Sequence, residues 1–110
     1  MDNIKWWSKA ASHMWRVFFQ LERDGFHWDE LSDATKRIYS ACQKIYASRF
    51  TPSDQKVLKY YYNSRWGDDV YAVEDYSLRN NIPVNMIWMI VRRANRMIIE
   101  EFGLIDRREG

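Results

Sequence analysis

A chain of 110 residues with 46% hydrophobic content can enclose one modest core, so a single domain is expected over residues 1–110. The formal charge of +2 is too small to announce nucleic acid by itself, and the single cysteine, Cys42, rules out an internal disulfide. Charges interrupt every apolar stretch, so neither a secretory segment nor a membrane span is expected, and a lone thiol suits a reducing cytosol.

The first expected helix runs from Ile4 to Glu22, where Ile4, Trp7, Ala11, Met14 or Trp15, Phe18 and Leu21 or Glu22 recur at the helical step. Trp6 and Phe19 widen its apolar face beyond what one neighbour requires, which points to burial between two. Six Trp, seven Tyr and five Phe are many for this length, and Trp6 and Trp15 are expected to supply part of a protein interface. Asp24 and Gly25 end the helix. The second spans about 29–46, capped by Asp29 or Ser32, with Leu31, Ala34, Ile38, Ala41 or Cys42 and Ile45 inward. Tyr39 and Tyr46 fall beside Lys36, Arg37 and Lys44 on a solvated face. Together these helices make an aromatic hairpin over about 4–46.

Thr51, Pro52, Ser53 and Asp54 form a strong helix start, with threonine as N-cap, proline first and an acid third. This third helix, 52–62, turns Val57, Leu58 and Tyr61 inward and Lys56, Lys59 and Tyr60 toward solvent. A loop follows from Asn63 to Asp69, with Gly67 permissive and Trp66 plugging the core beside it.

Residues 70–99 organise the rest. Helices near 70–80 and 84–101 meet at Asn80, Asn81, Ile82 and Pro83, where the Asn pair tolerates a partly left-handed turn and Pro83 or Val84 opens the next helix. Val73, Tyr76, Ser77 and Leu78 face the core from one side, and Ile87, Val91, Ala94 and Ile98 from the other. The expectation is an all-α, small single-domain helical bundle containing a helix-turn-helix over about 50–99. Arg79, Arg92, Arg93 and Arg96 lie in a span, 79–97, that holds no acid. Such a helix can lie against phosphates or enter a major groove, although the same residues also suit a solvated basic face. Asn85, near the helix start, is the candidate for a base edge, and Lys56 and Lys59 extend the basic set. Arg93 has an alternative in pairing with Asp75 or Glu74. Trp88 and Met89 at the front of this helix are expected to form an interface, most simply a homodimer. Charge is segregated as well: residues 36–65 carry a net +6 and residues 66–78 a net −4.

Catalysis finds little support. His13, His27 and Cys42 fall on separate segments without metal-ligand spacing, and the neighbouring acids Asp68 with Asp69 and Glu100 with Glu101 do not face each other on a helix. No phosphate-binding glycine loop or nucleophile motif is present. No enzyme activity, metal or cofactor is expected.

Ser53, Asp54, Val57, Leu58, Tyr61 and Tyr62, followed by Ile82, Ile87, Val91, Ala94 and Ile98, give the stretch from Phe50 to Ile98 a resemblance to the sigma-factor region-four type of helix-turn-helix. Small phage transcription regulators use this type, including the late-gene antitermination family often called Q-like. Trp6 and Trp7 are similar to the tryptophan-rich starts of Q-like proteins. The resemblance implies a DNA-binding transcription regulator of phage or prophage type, a late-gene activator or antiterminator, acting in the host cytoplasm on duplex DNA and touching RNA polymerase. Asn80 stands where the family buries a leucine, and Val84, Met86, Trp88 and Met89 stand where its recognition helix turns polar residues outward. Those departures support the alternative of a small, non-enzymatic protein-binding effector that inhibits a host polymerase or defence nuclease through a Trp/Met surface. Fold alone does not decide between them.

Overall fold

The computed structural model describes residues 7–63 and 69–104. Among them are five α-helices and no strand: α1 (Ser8–Asp24), α2 (Asp33–Arg49), α3 (Pro52–Tyr62), α4 (Asp69–Asn80) and α5 (Val84–Glu101). The all-α architecture expected from the sequence is therefore present. The expected first turn at 4–6 and the Trp66 plug lie outside the described residues.

Local capping chemistry explains the boundaries. Thr51 accepts the Asp54 backbone N–H, with Pro52 in the first turn, so α3 begins where its cap signal predicts. Ser32, rather than Asp29, caps α2 by accepting the Thr35 N–H at 3.1 Å. The residues before it, Trp28–Glu30, form a short 3₁₀ turn, and α2 consequently starts four residues later than expected and ends three later. Gly25 and Gly103 both have positive φ, the conformation in which glycine most cheaply ends α1 and α5.

α5 is the central element and packs against each of the other four helices. Its inner side buries Ile87, Ile90, Val91, Ala94, Ile98 and Ile99. Trp15 of α1 meets the middle of this face with 0% exposure, and its indole N–H donates to the Ala94 carbonyl at 2.9 Å. Its ring stacks on Phe19 and Tyr62 at centroid distances of 6.0 and 6.1 Å. The extra aromatic width of α1 is used here, because α1 is enclosed by α2, α3 and α5 rather than by one helix.

Two sequence expectations for α2 are corrected by this packing. Tyr39 is buried and Tyr46 half-buried, both against Phe18, whereas Ala34 is exposed. The later start of the helix rotates nothing by itself. It is the breadth of the Phe18 and Phe19 surface that draws both tyrosine rings inward while their hydroxyls keep polar partners. Tyr39 donates to Glu22 and Tyr46 to the Gln55 carbonyl. Burial, then the Glu22 hydrogen bond and charge, push the Tyr39 hydroxyl up to about 12. Cys42 is also buried; burial raises its thiol well above its ordinary value, and its Sγ lies 3.8 Å from the Met14 carbonyl.

The α4–α5 connection has three residues, 81–83. Asn81 takes a left-handed conformation, φ 55°, and the Ile82 N–H donates back to the Ser77 carbonyl at 3.2 Å, a Schellman-type closure. The Ser77 hydroxyl donates to the Ile82 carbonyl at 2.6 Å, so both sides of the turn are tied. Pro83 is the N-cap of α5, and Val84 is its first helical residue. Leu78, expected inward, is 85% exposed on the outer side of α4. Because only a residue at ease with positive φ fits position 81, Asn81→Gly is expected to leave stability within a few tenths of a kcal/mol. Asn81→Val should cost about 1–2 kcal/mol, a fall in melting temperature of about 5–10 °C. Thermal unfolding followed by circular dichroism checks this; equal melting of the two variants would refute it.

Candidate nucleic-acid interface

Successive helical residues turn by about 100°, so Asn85, Met89 and Arg92 line up on the outer side of α5, flanked by Met86 and Arg93. All five are exposed, while Ile87, Ile90, Val91 and Ala94 are buried opposite them. Met86 and Met89 are 46% and 58% exposed, so the stripe mixes apolar and cationic surface. Along this arc no carboxylate precedes Glu100.

The arginines differ sharply in their surroundings. Arg92 is exposed and makes no ion pair among the described residues. Arg93 does not pair with Asp75 or Glu74, the alternative suggested by the sequence. Its guanidinium lies 4.8 Å above the Phe50 ring and donates to the Arg49 carbonyl at 3.0 Å. That anchoring leaves the side chain exposed but restrained, with donors to spare. Arg96 is partly enclosed and pairs through Nε with Glu100 at 2.9 Å. Arg79 pairs with Asp75 at 3.1 Å. The Tyr60 hydroxyl, and then Arg79, hold the Asp75 carboxyl below its usual range. Both neutralising acids sit just outside the acid-free span, one turn before Arg79 and one turn after Arg96, where helical neighbours at four residues meet.

Lys56 and Lys59 are exposed on the outer side of α3, and Lys59 borders a surface depression shared with Glu22 and Arg23 at the end of α1. Of the residues expected at a protein interface, Met89 is exposed. Trp88 is half-buried instead, its ring 5.8 Å from Tyr61 in an edge-to-face contact. Trp15 is withdrawn from any partner by its complete burial, and Trp6 lies outside the described residues. The Phe50 platform under Arg93 had no signature in the sequence, since its two residues are far apart in the chain and meet only through the packing of α5 beside the α2–α3 connection.

No family model, no curated protein and no solved structure matches the chain. Among the described residues, no three His, Cys, Asp or Glu side chains come together to hold a metal ion, and no helix is long and apolar enough to cross a membrane.

Proposed function

We propose that the chain is a duplex-DNA-binding regulator in which α4, the three-residue turn and α5 act as a helix-turn-helix. The reading rests chiefly on the outer side of α5's first half, where Asn85, Arg92 and Arg93 stand exposed together without a carboxylate while the opposite side is committed to the core. From Asn85 to Arg92 the helix rises about 10 Å, a length that a major groove about 12 Å wide accepts. Asn85 at the entering end supplies an amide for adenine. Arg92, without an ion pair among the described residues, and Arg93, held over Phe50, supply phosphate contacts. The regulator class, of late-gene activator or antiterminator type, follows from the family resemblance and belongs to the same proposal, as do contact with RNA polymerase and residence in a host cytoplasm.

The neighbours of each arginine rank the expected effects. Arg92→Ala should weaken binding to all duplexes and lower the slope of log affinity against log salt by about one unit. Arg96→Ala and Arg79→Ala should change it less, because each guanidinium already spends its attraction on Glu100 or Asp75. Asn85→Ala should cost about 1–3 kcal/mol at the preferred site alone. Anisotropy titrations against genomic fragments at low and moderate salt test the set. Absence of duplex binding at low salt, or an Arg96→Ala loss larger than that of Arg92→Ala, would reject it.

Exposure of Met86 and Met89 favours a second reading, in which the same stripe seats a partner protein or a second copy of the chain. In that case Met89→Lys abolishes partner binding or dimerisation while DNA is not bound at all.

A further inference from the structure

An open groove of about 550 Å³ lies between the Trp28 turn, α2 and the end of α5. Its apolar lining is Trp28, Ala41 and Phe102, and its cations are Lys36, Arg37 and Lys44. Trp28 remains 44% exposed beside it. The cations are not evenly matched by acids. Lys44 pairs with Glu101 at 2.6 Å, but among the described residues no carboxylate pairs with Lys36 or Arg37. Lys36 instead sits 5.8 Å from the centre of the Trp28 ring, and Arg37 lies 5.4 Å from that of Phe102.

We infer that this groove binds a short acidic peptide segment of a partner protein, placing an apolar side chain between Trp28 and Phe102 and carboxylates on Lys36 and Arg37. An apolar lining with basic residues beside it matches that chemistry, and a volume near 550 Å³ accommodates a few residues. Glu101 on Lys44 shows the kind of contact the remaining two cations can make. A nucleic-acid strand fits less well. Stacked bases compete with Lys36 and Arg37 for the ring faces these cations lie against, whereas carboxylates bind the cations where they already lie. The groove sits at the opposite end of α5 from Asn85, about 25 Å along the helix, so it does not depend on the DNA reading.

The test is a nitrogen-15 correlation-spectrum titration of the full chain with the capped peptide Glu-Asp-Leu-Phe-Asp-Glu, to millimolar concentration. Shift changes centred on the Trp28 indole, Ala41 and Phe102 are expected. The double variant Lys36→Glu/Arg37→Glu should weaken binding at least about tenfold, since two attractions become repulsions. Ser40→Trp, at an exposed position lining the groove, should block the site with its charges intact. Replacing Leu-Phe by Ser-Ser should weaken binding, and replacing the acids by lysines should abolish it. The inference is overturned if no groove resonance moves, if the lysine peptide binds equally, or if single-stranded oligothymidine occupies the groove more tightly than the acidic peptide. Duplex binding by the double variant, measured in parallel, should keep its dependence on Arg92, which separates failure here from failure of the DNA reading.

Discussion

Trp15→Ala is expected to destabilise the protein by about 3–5 kcal/mol, the range for removing a large buried aromatic side chain. Total stabilities of small domains are about 5–15 kcal/mol, so the variant should melt far below the parent or fail to fold. The size of the effect follows from three losses at one site: the volume at the junction of α1 with α5, the stacking on Phe19 and Tyr62, and the indole bond to Ala94. Trp15→Phe retains an aromatic ring and gives up the indole hydrogen bond and some volume, so about 1–3 kcal/mol is expected. Urea unfolding followed by circular dichroism distinguishes the pair. A Trp15→Ala midpoint equal to that of the parent would refute the central place of this residue.

Asn95 is the next most consequential position. It is the buried polar side chain of α5, accepting from the Tyr62 hydroxyl and reaching Ser12 at 3.5 Å through its amide nitrogen. Asn95→Ala removes the acceptor that Asn95 provides and leaves a small void, an expected loss of about 2–3 kcal/mol. Tyr62→Phe removes the donor and keeps the stacked ring, so its cost should be nearer 1 kcal/mol. The two losses should not add. In a double-mutant cycle Tyr62→Phe and Asn95→Ala are expected to couple by about 1 kcal/mol, and strict additivity would mean that the bond between them carries no stability.

Signals confined to a few neighbouring residues were readable in the chain itself. Thr51, Pro52 and Asp54 specify the start of α3 through one cap, the pair Asn80 and Asn81 marks a partly left-handed turn that the structure places at Asn81, and Ile87, Val91, Ala94 and Ile98 mark the inner side of α5 by spacing alone. Direction around α1 was not readable. When Trp7, Met14, Trp15, Phe18 and Phe19 crowd one broad face of a helix, periodicity gives the face but not which neighbour each ring meets, and Trp15 could be read as interface as readily as core. The tyrosines of α2 were misread for the same reason, because an amphipathic side chain goes wherever its ring finds a surface and its hydroxyl a partner. In the candidate site, residue types were legible and their availability was not. Arg92 and Arg96 look alike in an acid-free span; Glu100 distinguishes them once both lie on one helix. Arg93 needed a tertiary neighbour, Phe50, that no local pattern announces.

The two-sidedness of α5 has a consequence for how such a protein can diverge. Asn85, Met86, Met89 and Arg92 lie outside the core, and exposed substitutions of that kind generally change stability by less than about 0.5 kcal/mol. Ile87, Val91, Ala94 and Asn95, interleaved with them along the same stretch of chain, are buried, and truncating buried side chains of this kind costs up to several kcal/mol. Mutational drift can therefore revise the outward residues repeatedly at little cost to folding, and a lineage can acquire a new target without passing through an unfolded ancestor.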